Sequence, residues 1–101
     1  MAVERLIGVQ VIDDREYEEY RRQLSPLLHA AGGRFVVDLR VSEVLTAPAD
    51  ARFNHLFVLR FPSAEAMQKL FEGDDYLAVR GAHLESSVSA TTMLATYQVA
   101  E

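Results

Sequence analysis

Phe61-Pro62-Ser63-Ala64-Glu65-Ala66 decides the fold, because within this stretch a strand ends and a helix begins. Upstream of it, Leu56-Phe57-Val58-Leu59-Arg60-Phe61 is apolar and rich in β-favouring side chains, which predicts a buried strand. Pro62 has no N–H to give a neighbouring strand, so the ladder stops there. Ser63 then offers a side-chain oxygen to the free amides of the next helix.

Downstream, Ala64, Met67, Leu70 and Phe71 recur at helical spacing and predict a short helix. Gly73 breaks it, Asp74 or Asp75 is positioned to cap another helical piece running through Leu84, and Val88 to Val99 reads as the last strand. Upstream, Phe53 to Phe61 and the valine-rich run from Arg34 to Leu45 predict two strands, joined through Ala47-Pro48-Ala49-Asp50-Ala51-Arg52. Before them, Tyr17, Tyr20, Leu24, Leu27 and Leu28 keep helical spacing, with Glu18, Glu19, Arg21 and Arg22 on the solvated side. Asp13 and Glu16 have the spacing of a capping box, and Gly32-Gly33 closes the helix. Pro26 lies inside the pattern and predicts a kink or a break near Leu24-Ser25. Leu6 to Ile12 is the first strand. The order β-α-β-β-α-β predicts an α+β, ferredoxin-like protomer with a four-stranded antiparallel sheet and the helices on one face.

At 101 residues the chain is expected to form a single domain, 1–101. A net charge of −5 without a basic stripe gives little attraction to phosphate backbones, so nucleic acid is not an expected partner. There is no cysteine, hence no disulfide framework and no thiolate nucleophile or metal ligand. No apolar run has the length of a signal peptide's core or a membrane span, so a cytoplasmic protein with no membrane partner is expected.

The sheet carries a further implication. With both helices on one face, a monomer's other face should be polar. Here Phe35, Val37, Leu39 and Val41 fall on one parity of the second strand, with Val36 and Val44 on the other. Phe53, Phe57, Leu59 and Phe61 share one parity of the third, with Leu56 and Val58 opposite. Both faces are therefore apolar, which predicts that a second copy covers the open one, sheet against sheet.

Tyr17-x-x-Tyr20, Gly32-Gly33-Arg34-Phe35, Phe61-Pro62-Ser63-Ala64-Glu65-Ala66 and Tyr76-x-x-x-Arg80, taken together, resemble an uncharacterised domain-of-unknown-function family of the dimeric α/β-barrel superfamily. The resemblance runs from about Leu6 to Tyr97 and implies a ferredoxin-like protomer and a homodimer whose sheets form a barrel-like interior. Where that family has a glutamate before Phe-Pro-Ser, this chain has Arg60. Asp38 also departs from the family pattern, which predicts a pair of reversed sign between Asp38 and Arg60 on adjacent strands. The superfamily's haem-degrading members use a tryptophan that is absent here, which leaves cofactor-independent chemistry and no expected cofactor.

Candidate chemistry is confined to a few side chains. His29, His55 and His83 lack metal-ligand spacing, so no metal site is expected, and His29 reads as a surface residue complementing a helix C-terminus. Tyr76, Arg80 and His83 are spaced to share one helical stripe, where a phenol, a guanidinium and an imidazole would bind a carboxylate and move a proton. Against that stands a bland alternative, in which Tyr76 packs and Arg80 pairs with Asp75 or Glu72. Tyr17 and Tyr20 read as core or as the wall of a cleft. His55, on a strand, is the best candidate base, with interface packing as its alternative. No phosphate loop, nucleophile elbow or dinucleotide fingerprint occurs. The expected function is binding of a small organic molecule between helices and sheet. His55 and His83 are the candidate catalytic residues, and Tyr17, Tyr20, Tyr76 and Arg80 the candidate ligand contacts. The alternatives are a cofactor-independent isomerase or monooxygenase, and a module built for assembly alone.

Overall fold

The computed structural model describes residues 1–100. Strands β1 (Ala2–Val11), β2 (Arg34–Arg40), β3 (His55–Phe61) and β4 (Val88–Val99) form one antiparallel sheet in the order β2-β3-β1-β4. Helices α1 (Asp14–Ala30), α2 (Ala64–Glu72) and α3 (Asp74–Val79) pack on one face of it. Beyond α3 the chain continues through a wide turn at Arg80–Leu84 and a last helical turn at Glu85–Ser87.

The helix starts obey the sequence. Asp13 accepts from the Glu16 amide at 3.2 Å and Ser63 from the Ala66 amide at 3.1 Å, each satisfying a free N–H of the first turn. The reciprocal half of the expected capping box does not form, because the Glu16 carboxylate bonds His83 and the Asp13 amide donates to the Ser87 carbonyl. At α3 the expectation fails: Gly73 holds the cap position without a side-chain bond, and Asp74 and Asp75 stand inside the first turn, where their charge suits the helix dipole. Gly32 has φ +79°, and a Cβ on Gly33 would sit 2.6 Å from the Arg60 carbonyl oxygen, so the turn into β2 needs both glycines.

Pro26 does not break α1, which runs on to Ala30. Pro26 and Arg22, whose carbonyl loses its usual donor, are both exposed, so the missing bond falls on the solvated side of the helix. Beside them, the Ser25 hydroxyl donates to the Arg21 carbonyl at 2.9 Å.

Strand boundaries also shift. β1 begins at Ala2 because its two charged residues find partners across the fold. Glu4 accepts from Arg60 Nε at 2.7 Å and from the Tyr97 hydroxyl at 2.8 Å, while Arg5 stacks on Phe71. β2 ends at Arg40, since β3 begins only at His55. Val41 makes one last bond to the Asn54 carbonyl, and Leu45 lies 86% exposed in the connection beyond it. Asn54 imitates a strand residue, its side-chain amide pairing both ways with the Val11 backbone at 2.7 and 3.0 Å.

A bulge at Val36 decides which side chains of β2 face the helices. The register passes from Phe35 opposite Leu59 to Val37 opposite Val58, leaving Val36 unpaired. Phe35 packs into the core under the helices, with Phe57, Leu59, Phe61, Leu24 and Leu28. After the bulge Val37 and Leu39 turn to the open face, and Asp38 and Arg40 turn toward α1. The second strand therefore does not keep Phe35, Val37 and Leu39 on one side, as simple alternation predicts. The open face remains apolar, with Val37 and Leu39 from β2, Leu56 and Val58 from β3 and Leu6 from β1.

Candidate functional site

The bulge opens a cleft of about 240 Å³ between the first half of α1 and the ends of β2 and β3. Tyr17 forms its inner wall, His55 its floor, and Arg21, Asp38, Arg40 and Asp14 its rim. Tyr17 is 3% exposed and its hydroxyl is buried with no hydrogen-bond partner. Its ring lies 5.0 Å from the imidazole of His55, which is 7% exposed. Leaving a buried phenol unsatisfied costs on the order of 1–3 kcal/mol.

Electrostatics set the protonation states. Burial lowers the pKa of His55, and the nearby Arg40 guanidinium adds to that, overcoming the opposing pull of Asp38 and Asp14. The imidazole is therefore neutral near pH 7 and has a lone pair to accept a proton. Its nearest carboxylate oxygen, on Asp14, is 3.9 Å away and well exposed, too distant for a hydrogen bond. Burial, then the Asp38 charge, drive the Tyr17 phenol well above its ordinary value, so it stays protonated and acts as a donor. Arg21 binds Asp38 at 2.7 Å and stacks on Phe35, yet its Nε is buried and unpartnered. A neutral base thus lies near two donors that have no partner in the protein.

The remaining candidates lie elsewhere. The Tyr20 and Tyr76 hydroxyls meet each other at 3.0 Å inside the core, and Tyr20 lines no cleft. Of the stripe of Tyr76, Arg80 and His83, the first two line one cleft beside β1 and β4, and His83 leaves it. The wide turn at Arg80–Leu84, where the Glu85 amide reaches back to the Arg80 carbonyl, rotates His83 off the helical stripe and onto Glu16 at 3.1 Å. Arg80 faces Glu85 at 3.8 Å and not Asp75 or Glu72. Asp38 and Arg60 are not a pair, because Arg60 stands opposite Arg34, four residues along β2 from Asp38; Asp38 turns to Arg21 on the helix side and Arg60 binds Glu4 on the open face. His29 is exposed in the last turn of α1. Among the described residues no group of three or more histidines, cysteines or carboxylates could hold a metal ion. No helix there is long and apolar enough to cross a membrane.

Asp14, Arg21 and Arg40 were not singled out by the sequence, and Asp38 was singled out only as a partner for Arg60. The only local signal was a charge at Asp38 and another at Arg40 in a valine-rich strand. Larger depressions of about 610 and 670 Å³ occur along the 41–54 connection and between α1 and α2. Neither is lined by a buried polar atom that lacks a partner.

Solved structures share this architecture over nearly the whole chain. A protein of unknown function, RPA0582 from Rhodopseudomonas palustris, superposes with TM-score 0.80 at 18% identity, over 99% of this chain and 83% of that one. A dabb family protein with a ferredoxin-like fold from Mesorhizobium loti gives 0.70 at 13%, covering 99% and 98%. SnoaB, a cofactor-independent oxygenase from Streptomyces nogalater, gives 0.68 at 13%, covering 99% and 94%. At these identities the likeness establishes the α+β, ferredoxin-like fold. No curated protein matches the chain at a significant level. The sequence pattern over residues 6–97 matches the model of one family, and the chain belongs to it: Domain of unknown function (DUF1330).

Proposed function

We propose that the cleft between α1 and the β2–β3 ends binds a small organic molecule carrying a phenol or enol oxygen, and that His55 withdraws its proton. One observation carries this reading: a buried, unpartnered Tyr17 hydroxyl beside a buried, neutral His55. In the step, the substrate O–H bond breaks, an imidazole N–H bond forms, and the electron pair stays on the substrate oxygen. Tyr17 donates a hydrogen bond to that oxyanion, and Arg21 Nε is a second donor. A base of lowered pKa needs such help, because it is the stabilised anion that makes the transfer favourable. An isomerase would return the proton to carbon, whereas a cofactor-independent oxygenase would pass the carbanion form to dioxygen. SnoaB, of the same fold, is a cofactor-independent oxygenase.

4-Nitrophenol tests the reading, since its phenolate is seen directly by absorbance. Wild-type protein should bind it with a shift toward the phenolate, and Tyr17→Phe and His55→Ala should each weaken binding at least tenfold. Equal binding by both variants and wild type would discard the cleft as the site.

The homodimer belongs to the same reading. Leu39 is 51% exposed, Tyr97 41% and Val37 37%, all on the sheet face opposite the helices, a surface that a second copy would bury. That face also favours the alternative of a module built for assembly. Native mass spectrometry of gently purified protein separates them: a dimer retaining a small molecule supports the cleft. A bare dimer that binds no phenol supports assembly.

A further inference from the structure

On the other side of α1 lies a second cleft, of about 260 Å³, between the wide turn and strands β1 and β4. We propose that it is a separate binding site for a compact, flat organic carboxylate, anchored by Arg5. Three half-buried arginines occur among the described residues: Arg5, Arg21 and Arg60. Arg21 has Asp38 and Arg60 has Glu4, as a guanidinium withdrawn from water requires. Arg5 has no carboxylate within 4.0 Å among the described residues, and its Nε is buried without a hydrogen-bond partner.

The setting defines the missing partner. Arg5 projects from the middle of β1 toward the helices, with its guanidinium 4.9 Å from the centre of the Phe71 ring. That stacking holds the plane of the guanidinium and leaves its donors for a planar acceptor, the geometry a carboxylate fills with two bonds. Ile7, Val88 and Met93 give the rest of the cleft an apolar lining suited to a ring-sized body. Arg80 stands at the edge as a second cation, although Glu85 lies 3.8 Å from it and opposes a dianion. The chemistry is that of a monoanion with one hydrophobic face. It is independent of the phenol site, which lies across the helix.

2-Naphthoate is the probe, and its uncharged counterpart 2-naphthamide the control. The chain has no tryptophan, so naphthalene emission can be followed without indole overlap. Naphthoate should bind saturably, and Arg5→Met should raise its Kd at least tenfold while leaving the weak binding of naphthamide unchanged. Arg80→Met should raise it about threefold, as expected of a partly neutralised rim charge. Methyl NMR shifts should gather on Ile7, Val88 and Met93. If Arg5→Met does not fold, Met93→Tyr crowds the cleft from its rim without adding an indole and should abolish binding. Unchanged naphthoate affinity in the variant that folds overturns the proposal, as does absence of saturation up to about 5 mM. Binding that His55→Ala removes and Arg5→Met spares also overturns it, because the anion would then occupy the phenol cleft.

Discussion

At the scale of single residues, Tyr17 has opposite effects on folding and on binding. Its hydroxyl costs stability in the empty protein, so Tyr17→Phe should raise stability by about 1 kcal/mol in urea unfolding while it weakens phenol binding. A purely structural tyrosine would not show that opposition. His55 adds a pH signature. Its folded pKa lies below the ordinary 6.5, so between those two values the unfolded chain binds more protons. The contribution is complete above pH 6.5 and is lost as pH falls through the folded value. Thermal unfolding should therefore show Tm falling as the pH drops below about 6.5, and His55→Gln should flatten that slope. Glu4, held low first by the Tyr97 hydroxyl and also by Arg60, gives a separate loss below its ordinary 4.5. Tyr17 and His55 were each visible in the sequence as candidates. Their meeting was not, because it depends on where α1 crosses the start of β3, which no local pattern specifies.

Elements carry their own lesson about what local pattern can tell. Phe61-Pro62-Ser63 was legible because proline and serine act through the backbone within a few residues, whatever the tertiary context. Strand ends were harder to read. Val44 and Leu45 are apolar yet leave the sheet, because β3 offers no residue opposite them. Glu4 and Arg5 read locally as a poor strand, but their partners Arg60, Tyr97 and Phe71 are distant in sequence. Pro26 shows a breaker tolerated because it and Arg22, whose carbonyl it leaves without a donor, lie on the exposed side of α1. That tolerance has a cost, so Pro26→Ala should stabilise the protein by about 1 kcal/mol in chemical unfolding. The gain stays below proline's full helix penalty because the unfolded chain becomes more flexible.

For the whole molecule, the open sheet face sets the expected state in solution. Leu39→Glu puts a charge at the most exposed apolar position of that face, away from the helical core, and should convert a dimer to a monomer by light scattering. A protein that is already a monomer before substitution would remove the homodimer.

The strand order has a consequence for synthesis. β1, made first, lies in the interior of the sheet, and its neighbours are β3 and β4; Ala2 ends beside Val99. A chain emerging from the ribosome therefore carries its central strand with both edges bare until β3 appears, and with one edge bare until the last strand is released. Such non-local pairing slows folding and leaves a sticky template exposed meanwhile. The nascent chain, more than the finished protein, is the form that should need a chaperone's protection.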